Sequence, residues 1–258
     1  IASCLVGSEM CIRDRGFTPL ELVKKYKREH NIEGKVCFAG RLDPMAHGKM
    51  ILLVKEECKL MNSYCDLNKT YEFIVLFGVK TDTYDLLGKI LETNFKKIIS
   101  KKLDLDTLRG KISQEYPAYS SIIIRHNEER KALWEWTNLG KLSEIKIPKK
   151  EVEIFSLEEI ESNINLSNSK KLLEYILENI NLLSEPNLKK FRVPEISKSW
   201  KENLDYIEFK PIIRKFRARV SSGTYIRSLT NRMGYILGSG AITLDIERID
   251  LELKKNSN

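Results

Sequence analysis

The 258-residue sequence contains no run of about eighteen apolar residues, so it offers no membrane-spanning helix and is read as soluble. It also lacks a CxxC pair, and its five cysteines are odd in number, which fits neither a disulfide framework nor a zinc site. Reduced thiols in a cytoplasmic compartment are expected. The opening stretch IASCLVGSEMCIRDR has no initiator Met, no basic start and no long apolar region, so it is not a signal peptide. It resembles a translated sequencing adapter. Residues 1–15 are therefore set aside as a leader foreign to the fold, and a true N-terminal strand is expected to be missing. Internal repeats and low-complexity tracts are absent as well.

What is present is ordinary for a globular chain, with 42% hydrophobic and 31% charged residues. The length suits one domain carrying an insertion. The formal charge of +8 and a pI near 9.1 favour a polyanionic partner.

TPLELVKKYKREH places Thr18 as N-cap, Pro19 at the first helical position and Glu21 in the first turn, ahead of helically spaced Leu22, Val23 and Tyr26. KVCFAGRLDPMAHGKMILLV reads as strand, glycine-flanked loop, strand. In TYEFIVLFGVKTDTYDLLGKI, alternating Tyr71, Phe73, Val75 and Phe77 mark one face of a strand, followed by a polar turn and a second strand. DLDTLRGKI suggests a short helix, and SSIIIRHNEERKALWEWTNLG a strand passing into a helix closed by Gly140. Composition shifts to Asn, Glu, Lys, Leu and Ile between 156 and 210, which is read as a helical insertion, solvated at the surface. The core resumes with a strand, a Ser-Ser-Gly turn, a helix and a final strand. These patterns predict an α+β fold with a mixed, mainly antiparallel sheet and flanking helices, in which 16–155 and 211–252 form the main domain.

Asp43 stands in that glycine-flanked loop. Asp before Pro commonly starts an Asx turn. The same carboxylate has a second use, as a nucleophile or base, given an orienting cation and shelter from water. Tyr225 and Arg227, two apart in SSGTYIRS, share a face if that segment is extended, and Arg227 is a cation able to pair bidentately with a carboxylate. Tyr71 is either cross-strand packing or a platform for a displaced base. Thr81, Asp82, Thr83 and Asp85 read as a solvated turn, without the further ligands a divalent metal needs.

Taken in order, these blocks resemble the pseudouridine synthases of the TruB type. Gly40, Leu42, Asp43, Pro44, Ala46 and Gly48 match the G-x-L-D-P-x-A-x-G block of that family. KTYEF and FGVKTDTYDLLG are similar to its K-x-Y and LG-x-x-TDT-x-D-x-x-G blocks, with Phe77 where Leu is usual. YPAYSSIIIRHNEERKALWEWTNLGK is similar to its P-x-x-S-A-x-K segment and the helix after it. SSGTYIRSLTNRMG is close to its S-x-G-TYIR-x-L block. The resemblance runs from Gly16 to Arg248, apart from the insertion.

It implies that Asp43 is the catalytic aspartate, Tyr71 the base-stacking tyrosine, Arg227 the partner of the aspartate and Tyr225 a second active-site tyrosine. Phe38 stands where the family often has His, five residues before the aspartate, and Arg41 is similar to the R-L-D motif of other pseudouridine synthase families; both are substrate-binding candidates. The implied substrate is a uridine in tRNA or another structured RNA, U55 of the T loop first. The implied reaction breaks the N1 to C1′ bond, turns the uracil and rejoins it through C5, with neither cofactor nor metal, in a monomer that does not engage membranes. An ionised carboxylate beside the sugar has two roles open to it: attack on C1′, or removal of the 2′ proton to give a glycal. The sequence ends soon after Arg248, so no C-terminal RNA-binding domain is expected. Two other readings stand beside this one: a non-catalytic protein that binds or folds tRNA, and a metal-dependent nuclease using Asp82 and Asp85.

Overall fold

The element best signalled in the sequence forms as its residues direct. A computed structural model describes residues 4–5, 8–95, 103–162, 164–205 and 208–253. In it Pro19–Glu29 is a helix (α1) opened by a capping box: the Glu21 N–H donates to the Thr18 hydroxyl at 3.3 Å, and the Thr18 N–H donates to the Glu21 carboxylate at 2.7 Å.

Thirteen strands follow one another among the described residues: Cys4–Leu5 (β1), Ser8–Arg13 (β2), Val36–Ala39 (β3), Ala46–Val54 (β4), Lys69–Phe77 (β5), Val79–Thr81 (β6), Ile90–Thr93 (β7), Gly110–Glu115 (β8), Ile123–His126 (β9), Glu129–Ala132 (β10), Lys149–Ile160 (β11), Ile212–Val220 (β12) and Ala241–Leu251 (β13). Nine of them form the main sheet in the order β1-β2-β4-β13-β5-β12-β11-β8, with β3 on β4. Every pairing in it is antiparallel except β4 with β13. This is the mixed, mainly antiparallel α+β architecture expected. The other helices are Met61–Cys65 (α2), Leu133–Asn138 (α3), Ser169–Ile180 (α4), Glu185–Lys190 (α5), Val193–Leu204 (α6) and Ile226–Leu237 (α7).

The sheet is buried on both faces. Tyr71, Phe73, Val75 and Phe77 of β5 pack with Leu22 and Tyr26 of α1 and with Ile226, Leu229 and Met233 of α7. The intervening Ile74 and Leu76 pack on the opposite face with Leu172 and Ile176 of α4 and with Ile196 and Trp200 of α6. The alternation read along β5 thus captured one face of a strand whose other face is equally apolar.

Four expectations are corrected. The segment 156–210 is not a solvated decoration: α4 and α6 supply the second core, and Trp200, fully buried, donates its indole N–H to the Leu86 carbonyl at 3.1 Å. Its expected boundary at 156 falls inside β11, because residues up to Ile160 continue the ladder with β12. The leader expected to lie outside the fold contributes β2, whose six residues pair with β4 from Ser8 to Arg13; residues 1–3 and 6–7 lie outside the described set. DLDTLRGKI forms a single 3₁₀ turn at Asp106–Leu108 and then strand β8, since the partner β11 offers backbone hydrogen bonds that a short helix lacks.

Candidate active site

The loop bearing Asp43 joins β3 to β4 and is seated in both cores. Leu42 and Ala46 are buried in the cluster beneath α1 and α7, while Met45 is buried in the cluster under α4 and α6. Gly48 closes the motif because β4 and β13 meet there; its φ of 101° and a hypothetical Cβ 2.5 Å from the Arg248 carbonyl exclude any side chain.

Two buried arginines hold the loop backbone. Arg13 donates to the carbonyls of Phe17 and Asp43, each at 2.5 Å, and also to that of Ala46. Arg248 donates to the Gly40 carbonyl at 3.2 Å and the Lys49 carbonyl at 2.6 Å. Burial pushes Arg13 down to about 10, against the attraction of Asp43 and with the help of Arg248. Neither residue was singled out from sequence as functional. Arg13 lay in the segment set aside, and Arg248 is one charge among several in a strand whose registry decides which of them points inward.

The Asp43 side chain receives a fork from Arg227: Nε donates to Oδ2 at 2.7 Å and Nη2 to Oδ1 at 2.9 Å. Arg227 is only 3% exposed, whereas the Asp43 carboxylate is 30% exposed and so faces the cavity. The remaining donors of Arg227 go to the carbonyls of Thr83 at 2.8 Å and Tyr119 at 3.3 Å, so the guanidinium cannot swing away without abandoning buried acceptors. Burial works against its charge, but Asp43 and Asp85 outweigh that and hold it above the ordinary arginine range. Arg227 reaches this place from the first turn of α7, with Tyr225 as the helix N-cap, rather than from the extended segment expected. The amide of Gln114 fixes Tyr225 from both sides, accepting from its N–H at 2.8 Å and donating to its carbonyl at 3.1 Å.

A cavity of about 60 Å³ lies on one side of Asp43, lined by Arg41, Tyr71, Thr224 and Tyr225. Burial first, and then the nearby Asp43, push the Tyr225 hydroxyl up to about 12, so it remains protonated as a donor. On the other side opens a cleft of about 550 Å³, which Phe38 lines and which Arg41 shares with the smaller cavity. The structure therefore gathers Asp43, Tyr71, Tyr225, Arg227 and Arg41 around one carboxylate and leaves Phe38 in the adjoining cleft.

Asp85 is the residue the solvated-turn reading missed. It is buried, accepts from the Thr83 hydroxyl at 2.6 Å and the Leu87 N–H at 2.9 Å, and sits 3.7 Å from Arg227. Burial chiefly pushes its carboxyl up to about 6, against the pull of Arg227. Asp82 is taken by Arg192 at 2.8 Å and the Lys89 N–H at 2.9 Å. Both carboxylates of the nuclease reading are thus committed to protein donors, and no group of three or more His, Cys, Asp or Glu placed to hold a metal occurs among the described residues. His47 is half-buried 3.1 Å from Asp245, which also pairs with Arg15 at 2.6 Å. Among the described residues no helix is long and apolar enough to cross a membrane.

Residues 25–174 match the family described as TruB family pseudouridylate synthase, N-terminal domain. The tRNA pseudouridine synthase B of Aquifex aeolicus (strain VF5) is 28% identical over 248 residues, covering 95% of this chain and 68% of the relative. That of Lactobacillus acidophilus (strain ATCC 700396 / NCK56 / N2 / NCFM) is 27% identical over 243 residues, covering 92% and 65%. The fold is similar to that of a chain in a Cbf5-Nop10-Gar1 complex, with a TM-score of 0.54 at 18% identity, covering 95% of this chain and 48% of that one. The chain thus spans about two thirds of the length of these curated relatives and about half of that solved chain. With more than half of its residues matched and the motif residues converging on one carboxylate, the chain belongs to the TruB family of pseudouridylate synthases.

Proposed function

We propose that this chain isomerises a uridine of structured RNA to pseudouridine, with U55 of the tRNA T loop as target and Asp43 as the catalytic carboxylate, acting as a monomer in the cytoplasm without a cofactor. One observation carries the reading: the Asp43 carboxylate, gripped at both oxygens by a buried Arg227, faces a small cavity walled by Tyr71 and Tyr225.

Each residue has a task in that chemistry. Arg227 holds both oxygens of the Asp43 carboxylate and fixes its orientation before RNA arrives. A uridine must leave its stack to reach the cavity at a cost of a few kcal/mol, and an aromatic face such as Tyr71 returns about 1–3 kcal/mol per base. Asp43 then either attacks C1′, displacing N1, or removes the 2′ proton as the bond to N1 breaks. The turned uracil rejoins C1′ through C5, which releases Asp43 or returns the proton to C2′, and C5 gives up its proton while N1 takes one. Tyr225, held protonated, donates to an oxygen of the detached uracil or of the sugar while the ring turns. The basic surplus of +8 supplies phosphate contacts. A chain that only binds or folds tRNA has no need of this buried fork.

The test is pseudouridine mapping of tRNA transcripts incubated with wild-type protein and with Asp43→Asn. The variant is expected to lose at least about 10³-fold in rate, as on removal of other acting groups, and to keep its affinity for tRNA within about threefold. An active Asp43→Asn overturns the reading.

A further inference from the structure

The cleft of about 550 Å³ beside Asp43 has one of its walls from a segment with no counterpart among the motif blocks. One wall comes from Thr18, Leu20 and Lys24 at the start of α1, another from Trp134 and Asn138 of α3, and the third from Pro186 to Arg192 of the inserted helices. The insertion is moored there. Ser184 and Asn187 donate to the Glu21 carboxylate at 2.6 and 3.2 Å, and Arg192 pairs with Asp82 at 2.8 Å with its guanidinium 4.2 Å from the centre of the Tyr119 ring.

The charges of this cleft are unbalanced. Its three carboxylates are all engaged: Glu21 by the α1 cap and the insertion, and Asp43 and Asp85 by Arg227. Arg192 and Arg227 are spoken for in the same contacts. Lys24, Arg41 and Lys190 remain, none of them in an ion pair among the described residues. The Lys190 ammonium lies over the Trp134 ring, 5.9 Å from its centre, and 5.7 Å from the centre of the Phe191 ring, so a cation and aromatic faces meet in this wall. Ser120, itself 3% exposed, lines the cleft with a buried hydroxyl that has no hydrogen-bond partner. Unpaired cations interleaved with aromatic faces, continuous with a site that acts on an extruded base, suit a single RNA strand: phosphates for the lysines and a base for the indole.

We infer that the inserted helices form one wall of the RNA-binding cleft, in which Lys190, opposite Lys24, takes backbone phosphates of nucleotides flanking the target uridine. This rests on the function proposed above and assigns the 156–210 segment a part in substrate grip.

The test uses a tRNA T-arm stem-loop, with binding measured across a salt series and single-turnover pseudouridine formation measured at limiting and saturating RNA. The variants are Lys24→Ala, Lys190→Ala and their combination, with Lys198→Ala as a control that removes the same charge from α6 at a site 74% exposed and outside the cleft. The expected result is a roughly threefold to tenfold rise in Kd for each cleft variant, a fall of about 0.7 per lysine in the slope of log K against log salt, and an effect on rate at limiting rather than saturating RNA. Cleft variants that match wild type and Lys198→Ala in affinity and slope, while wild type forms pseudouridine, overturn the cleft assignment and leave the function intact. A wild type that binds RNA but forms no pseudouridine overturns the function, and the salt slopes then decide the cleft on their own. A wild type that binds no RNA overturns both.

Discussion

Two arginine-carboxylate pairs, Arg227–Asp43 and Arg192–Asp82, lie on either side of Tyr119, and they are built differently. Arg227 grips Asp43 at both oxygens, is 3% exposed, and spends its other donors on the carbonyls of Thr83 and Tyr119. Arg192 touches Asp82 through one nitrogen, with both partners about one-fifth exposed, and lays its guanidinium on the Tyr119 ring. The first has its geometry fixed on every side, as an orienting group requires. The second keeps slack and solvent, as a tether between the inserted helices and the turn. Tyr119 touches both, through its carbonyl and its ring, and Asp82 adjoins Thr83, so the tether reaches the Arg227–Asp43 pair by two routes.

The contrast is broken most severely by Arg227→Lys. Lysine keeps the charge and gives up the planar fork, so Asp43 loses its fixed orientation while a cation stays beside it. A fall of about 10²-fold in kcat is expected with KM little changed, the size associated with misplacing a reacting group by about an ångström. Single-turnover kinetics at saturating tRNA measure it. A kcat within threefold of wild type shows that the charge alone suffices and that the bidentate geometry is incidental.

How much of this was legible beforehand follows the same division. Asp43, Arg227, Tyr71 and Tyr225 were legible because they stand in four blocks that match one family's motifs in order, although Asp43 and Arg227 pair across 184 residues and the helix that delivers Arg227 reads in sequence as an extended segment. No single block singles out its residue, and their order along the chain does. Arg13, Arg248 and Asp85 act through partners far along the chain or on another strand, and only registry reveals that their side chains point inward. The second core was hidden for a related reason. Ile74 and Leu76 interrupt the alternation of Tyr71, Phe73, Val75 and Phe77 without spoiling it, and α4 and α6 each show one apolar face on an otherwise polar segment. One amphipathic helix looks solvated until its partner face is known.

Asp85→Asn sharpens the comparison by removing the second carboxylate near Arg227. The Asp85 carboxyl has an ordinary value of 3.8 when the chain is unfolded and about 6 in the fold, chiefly because burial disfavours its charge. Between those pH values the folded chain holds a proton that the unfolded chain has released. The stability drawn from that proton is fully present below 3.8 and is lost as pH rises through 6. Urea unfolding of wild type and Asp85→Asn at pH 4.5 and 7.5 is expected to show wild type losing more stability than the variant between the two pH values, on the order of 2 kcal/mol. Parallel losses in the two proteins mean that Arg227 keeps Asp85 ionised throughout, so that the guanidinium is shared between two carboxylates rather than dedicated to Asp43.

The smallest effect belongs to the tether. Arg192→Ala removes a partly exposed single-contact pair, worth up to about 1 kcal/mol, together with a cation–π contact of about 0.5–1 kcal/mol. A loss of roughly 1–2 kcal/mol in unfolding free energy is expected, with kcat lowered no more than about threefold. A double-mutant cycle with Asp82→Ala isolates the pair itself and is expected to give a coupling of at most about 1 kcal/mol. If Arg192→Ala instead lowers kcat as far as Arg227→Lys does, the turn carrying Thr83 depends on the insertion for its position. The two pairs then form one device, because releasing Arg192 lets the Thr83 and Tyr119 carbonyls drift and frees the Arg227 fork that they constrain.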